Sequence, residues 1–174
     1  MDKQRKIVDV HINLCDKNAK LPFYANSGDA GMDITASNDV IIPAGQTVLI
    51  PTGLKVAIPH GYEIQIRPRS GLSLNTPLRI PNSPGTIDCG YRDEIKVIME
   101  NTSPVNSGER LEDNDDNKFL TVKSKGNQKG DYKIFAGDRI AQMVLQKVPA
   151  IKWINVNDVE QIGENRGGGF GSSG

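Results

Sequence analysis

The 174-residue chain has little of what metal centres, disulfide frameworks and membrane spans are made from. Its two cysteines, Cys15 and Cys89, form no metal-ligand spacing and no disulfide framework, which fits a reducing compartment. With only His11 and His60 as imidazoles, a zinc site is not expected. No apolar run is long enough to cross a bilayer, and the charged start MDKQRKIVDV lacks the apolar segment of a secretory signal. A cytoplasmic location and no membrane partner are therefore expected. Net charge is missing too: 21 basic side chains face 21 acidic ones, so no overall field attracts nucleic acid, and any polyanion needs a local site. Apolar residues make up 37% of the chain, enough for one small core.

What the chain does have is glycine and proline, 18 and 10 residues, spread between short apolar runs in the manner of strands and turns. Val8, Val10, Ile12 and Leu14 alternate with polar residues, as do Tyr62, Ile64 and Ile66, the period of half-buried strands. Val40 to Ile42, Val48 to Ile50 and Leu54 to Ile58 are separated by Pro-x-Gly triplets that read as turns. Ala141, Met143 and Leu145 continue the alternation, and Trp153 reads as a packing residue. The pattern predicts an all-β sandwich or barrel with very little helix. Residues 1–164 form one domain with a polar insert at about 102–131, followed by a flexible arm over 165–174. In the insert, acidic Glu112, Asp113, Asp115 and Asp116 precede Lys118, Lys123, Lys125 and Lys129, without the glycine or terminal glutamate spacing of an EF-hand, and order is expected to resume at Tyr132.

Several stretches carry candidate chemistry. Asn82 to Lys96, NSPGTIDCGYRDEIK, reads as a turn-rich hairpin with Asp88 and Tyr91 either side of a bend, able to hold a water and a flat ligand together. An ordinary hairpin with a turn aspartate is the plainer reading. RPRSGLSL places Arg69 and the hydroxyl of Ser70 at the start of a helical turn, a phosphate cradle or simply a capped turn. Asp29 and Asp33 bracket Ala30-Gly31, where backbone comes close to something or two carboxylates make turns. The terminal Gly169, Gly171 and Gly174 match G-x-G-x-x-G, but no βαβ unit can surround a chain end, so a dinucleotide fingerprint fails, and the absent lysine excludes a Walker A loop.

In order along the chain, AGMDITAS, RPRSGLSL, NSPGTIDCGYRDEI, AGDRIAQMV and NRGGGFGSSG resemble the five motifs of the trimeric deoxyuridine triphosphatase (dUTPase) family. The resemblance implies a jelly-roll-like β-barrel, a homotrimer with each site built from three subunits, and hydrolysis of dUTP to dUMP and pyrophosphate with Mg2+. Such an activity keeps uracil out of DNA and supplies dUMP for dTMP synthesis. Backbone from Gly85, Thr86 and Ile87 to Tyr91 would hold uracil with Asn82 assisting, leaving no room for a thymine methyl. Tyr91 would lie under the deoxyribose and exclude a 2′-hydroxyl. Asp88 would activate the attacking water. Arg69, Ser70, Gly71 and Gln142 would hold phosphates, Asp33 would support the magnesium hydration shell or a neighbouring arginine, and Lys96 would approach substrate through its backbone. No direct protein ligand to magnesium is implied. Phe170 with Gly171 would close over the base, while Arg166, Ser172 and Ser173 grip the γ-phosphate. A dCTP deaminase of the same fold matches the hairpin and tail less well. The insert resembles in placement those of phage-encoded dUTPases that contact repressor proteins, so a protein partner at 102–131 competes with a solvated loop, and the compartment is then the host cytoplasm.

Overall fold

The structure, a computed structural model, describes residues 5–105, 118–165 and 167. Ten strands, one short α-helix and a 3-10 turn at Val159–Gln161 are defined among them: β1 His11–Leu14, β2 Met32–Thr35, β3 Val40–Ile42, β4 Thr47–Ala57, β5 Tyr62–Arg67, α1 Ser70–Asn75, β6 Leu78–Arg79, β7 Gly85–Ile87, β8 Ile95–Asn101, β9 Tyr132–Ile134 and β10 Arg139–Lys147. They form two four-stranded sheets, β1-β4-β8-β6 and β2-β10-β5-β7, with a two-stranded sheet β3-β9 beside them. All the strand pairings are antiparallel. Most neighbours in a sheet are distant in sequence, which gives the expected all-β, jelly-roll-like fold. The three sheets are not joined into one continuous hydrogen-bonded barrel.

Period-two alternation builds the layer between the sheets. In β8, Ile95, Val97 and Met99 are buried while Lys96 is exposed and Ile98 and Glu100 are half-buried. The opposing sheet contributes Ile34, Ile64, Ile66, Ile140 and Met143. Each such side chain removed from water contributes about 1.5–3 kcal/mol.

Five details depart from the sequence reading. Pro51-Thr52-Gly53 is no turn: β4 runs through it, and its register against β8 shifts there as a bulge. The extra residues are satisfied locally, with Thr52 Oγ1 donating to Ile95 O at 2.6 Å and Gly53 N to Glu94 Oε1 at 2.8 Å. Gly53 has φ +68°, and a Cβ there would meet Ala19 Cβ at 2.6 Å, so only glycine fits. Second, Asn82 to Lys96 is not a paired hairpin, because β7 pairs with β5 in one sheet while β8 pairs with β4 and β6 in the other.

Third, the alternation of Val8 to Leu14 is buried only in its first part: Val10 is half-buried against the core, but within β1 Ile12 and Leu14 are 38% and 43% exposed, on an edge strand paired to β4 among the described residues. Fourth, Trp153 is not a core residue among the described residues: it is 86% exposed on an irregular arm beside Ile151 and Ile154. Fifth, the second part of the insert has structure well before Tyr132, since Phe119 is buried, Leu120 bridges Tyr132, and Asn127 N donates to Asn75 O at 2.8 Å. The acidic cluster of the insert and the tail residues Arg166, Phe170, Gly171, Ser172 and Ser173 lie outside the described residues.

The base of the insert is tied by Asn101, which is fully buried. Its Nδ2 donates to Ile42 O at 2.9 Å and Gly130 O at 2.8 Å, and its Oδ1 accepts from Ser103 N at 3.1 Å. Replacing it by alanine strands these buried groups, each costing about 1–3 kcal/mol. Asn101→Ala is expected to lose roughly 2–4 kcal/mol of stability, read as a lower denaturant midpoint. An unchanged midpoint would contradict this account.

Candidate active site

The first group of candidate residues converges on Asp33, in the middle of β2. Its side chain is 3% exposed, and burying a carboxylate this deeply requires charged or polar donors. It has three. Arg69 Nε donates to Oδ1 at 3.0 Å, Arg139 Nη1 to Oδ2 at 3.0 Å, and Gln142 Nε2 to Oδ1 at a longer 3.4 Å. Gln142 lies directly across the sheet, paired in register with Asp33. The register of β10 slips between Arg139 and Ala141, a bulge that turns Arg139 back to the same carboxylate. Gly31 permits this: a Cβ there would lie 3.2 Å from Val144 Cγ2 and 3.4 Å from Gln142 Cβ. The close backbone approach expected at Ala30-Gly31 is therefore to β10, while Asp29 makes a turn by accepting from Asn26 N at 2.8 Å.

Arg69 is also the N-cap of α1, in extended conformation and with no side-chain cap hydrogen bond, so the first-turn N–H groups have no intrahelical acceptor. Ser70 and Gly71 in that turn are exposed. The guanidinium groups keep contact with solvent, with side-chain exposures of 25% for Arg69 and 49% for Arg139. A groove of about 570 Å³ opens here between α1, the 137–139 turn and Lys123 and Lys125 of the insert. Fixed guanidinium donors beside free N–H groups suit a phosphate chain.

The second group surrounds Asp88. Tyr91 N donates to Asp88 O at 3.1 Å, closing the expected bend. Arg92 clamps the bend by donating from Nη1 to Cys89 O at 2.7 Å and Tyr91 O at 2.8 Å, and Tyr91 Oη donates to Glu94 O at 3.0 Å. The backbone is thus held from three sides. The Asp88 carboxylate is exposed and has no hydrogen-bond or ion-pair partner among the described residues, whereas Cys89 turns inward against the core. Thr86, Ile87, Asp88, Tyr91 and Lys96 line one groove of about 770 Å³. Gly85 is buried, and Asn82 Nδ2 would lie 3.2 Å from a Cβ placed on it, so Asn82 sits over that backbone. Lys96 Nζ is 3.7 Å from Glu94 Oε2, and its main chain pairs with Pro51.

The chain thus gathers its described candidates into two clusters, and among the described residues the grooves of Asp88 and Arg69 share no lining residue. Sequence reasoning missed Arg139, which stood inside the quoted AGDRIAQMV without a role, because a bulge leaves no mark in residue identity. It also missed Glu94 and Arg92, whose charges serve backbone groups rather than ligand.

The dUTPase family profile matches residues 17–111. The chain is 40% identical to deoxyuridine 5′-triphosphate nucleotidohydrolase of Clostridium tetani over 94% of both chains. Among solved structures, Staphylococcus bacteriophage 80alpha dUTPase with dUpNHpp is similar at a TM-score of 0.78 and 29% identity, covering 95% of this chain and 98% of that one. A mutant dUTPase from phage phi11 of S. aureus, in which a structural Mg(II) ion is coordinated, matches at 0.76 and 27%, covering 88% and 99%.

Because Asp33 is the one carboxylate shared by two guanidinium groups, Asp33→Asn leaves two cations facing each other around a neutral acceptor. Partly exposed ion pairs are worth less than buried ones, so the expected loss is about 1–3 kcal/mol in chemical denaturation. A variant as stable as wild type would show that Asp33 does not hold the arginines.

Proposed function

The chain belongs to the dUTPase family and hydrolyses dUTP at a phosphoanhydride, and from that premise we propose how its residues do so. The observation that carries the proposal is the Asp88 carboxylate, exposed and unpartnered on a backbone-clamped bend that opens into a groove with Tyr91. A carboxylate with free lone pairs, fixed in place, accepts a proton from water. The water oxygen then attacks the α-phosphorus in line, the bond from that phosphorus to the α,β-bridging oxygen breaks, and dUMP and pyrophosphate leave. The β7 backbone from Gly85 to Ile87 presents peptide groups to uracil, with Asn82 beside them. The ring of Tyr91 forms the floor that a 2′-hydroxyl would strike. Lys96 approaches through its main chain.

Arg69, Ser70, Gly71 and Gln142 would hold the phosphates, where preorganised donors stabilise charge as it develops on the leaving group. Magnesium fits this arrangement as an ion carried on the triphosphate with its own waters, because both Asp33 oxygens already accept from guanidinium and amide donors. When bound, it would add charge neutralisation on the phosphates. Asp33 then acts by orienting the arginine rather than by contacting the ion. Arg166, Phe170, Gly171, Ser172 and Ser173 would supply the closing arm and exclude water. The reaction removes dUTP from the DNA precursor pool and supplies dUMP.

Two features support a homotrimer with shared sites. Among the described residues the Asp88 and Arg69 grooves have no wall in common, and the arm after β10 leaves Ile151, Trp153 and Ile154 exposed. A second role at the insert is favoured by the similarity to 80alpha dUTPase, one of the phage dUTPases described as controlling transfer of virulence genes. Deleting 107–116, which spares buried Phe119, would then abolish a complex with a repressor protein while dUTP hydrolysis continues; a complex that survives the deletion rejects that role.

Asp88→Asn is expected to lower turnover by about 10²–10⁴-fold with dUTP binding retained, measured by pyrophosphate release and by calorimetry. Full turnover in the folded variant would remove Asp88 from its role. Pyrophosphate release by the wild type is expected from dUTP and not from dTTP, dCTP or UTP; release from UTP at a similar rate would exclude the Tyr91 floor.

A further inference from the structure

We infer that the turn from Thr121 to Gly126 is an added wall of the phosphate groove, and that Lys123 and Lys125 bind the terminal phosphates of dUTP and the pyrophosphate product. This rests on the phosphate site proposed above and extends it to a segment with no assigned role. Lys123 and Lys125 line the same groove as Arg69, Gly71 and Arg139.

The turn is built to stay there. Ser124 N donates to Thr121 O at 2.9 Å, Thr121 N to Ser124 Oγ at 3.0 Å, and Lys123 N to Thr121 Oγ1 at 3.2 Å. Gly126 at φ +75° and Asn127 at φ +53° then turn the chain so that Asn127 N reaches Asn75 O, at the end of α1. The insert is thereby pinned to the helix that begins with Ser70. Two consecutive left-handed residues suit glycine and asparagine.

Charge supplies the reason. Arg69 and Arg139 share Asp33, so that trio has a net charge of only +1. A nucleoside triphosphate carries roughly four negative charges near neutral pH, most of them on its outer phosphates. Lys123 and Lys125 are exposed, and neither makes an ion pair among the described residues. Among the described residues that line the groove the one carboxylate is Asp138, which accepts from Phe135 N at 2.9 Å through Oδ2. Lys20 adds to the rim, with Nζ 3.0 Å from where a Cβ on Gly137 would be. In a chain with no net charge, this concentration of cations marks a place for a polyanion. Lysine at a solvent-exposed rim attracts and steers rather than fixing geometry, so its contribution falls with ionic strength.

The test compares wild type with Lys123→Gln/Lys125→Gln at low salt. Calorimetry with inorganic pyrophosphate is expected to show binding weakened roughly fivefold or more, with a shallower salt dependence, and KM for dUTP to rise in parallel. The control Lys118→Gln/Lys129→Gln, on the same segment but off the groove, should bind as wild type does, and Lys123→Arg/Lys125→Arg should retain affinity. Wild-type pyrophosphate affinity in the glutamine pair, or equal loss in the control pair, overturns the inference. If the wild type binds pyrophosphate through these lysines yet leaves dUTP intact, the proposed function fails and the inference stands. If dUTP is hydrolysed with binding and KM indifferent to the lysines, the inference alone fails.

Discussion

One buried carboxylate organises the polar half of this molecule. Asp33 on β2 is buried against β10, where an unpaired charge would be prohibitive, and its three donors come from the N-cap of α1 and from two positions on β10. Strand pairing places Gln142 opposite it; the bulge brings Arg139 to the same oxygen pair. The sheet therefore fixes the guanidinium groups, and they need not reorganise when a phosphate arrives. Such a trio carries little net charge. Orientation is its contribution, and attraction has to come from elsewhere on the groove.

The other half depends on backbone rather than on charge. The bend at Asp88 is locked by Arg92 and by the Tyr91 hydroxyl, and the Glu94 side chain closes the neighbouring bulge of β4 at Gly53. The segment from Gly85 to Ile95 crosses from one sheet to the other, so moving either sheet moves Asp88. That is why a carboxylate can stand unpartnered in solvent and still hold position.

Strands announced by alternation were legible in the residues. Tyr62 to Ile66 and Ala141 to Leu145 lie in strands where they were expected, and they pair with each other. Pairing partners were not legible, because Ile87 and Ile95 carry no mark saying that they join different sheets. Pro51 and Gly53 read as a turn since those residues occur in turns, yet here glycine serves a close crossing with Ala19. Trp153 and β1 misled for one shared reason: residue type reports a wish for burial, not whether the same chain supplies the cover. Of the candidate site, the motifs named Asp33, Arg69, Asp88 and Tyr91, but the relation of Arg139 to Asp33 exists only in the folded register.

The ties at the base of the insert have an entropic consequence. Asn101 at the end of β8 and Ser103 at the start of the insert both grip Gly130 near its end, through contacts of 2.8 and 3.1 Å, so the two ends of the segment are held together at the sheet. For a loop closed in this way, each doubling of length costs only about 0.6 kcal/mol. A change of length between these ties is therefore cheap in entropy, whereas the second part of the insert is bound to the fold through buried Phe119 and the Asn127–Asn75 contact.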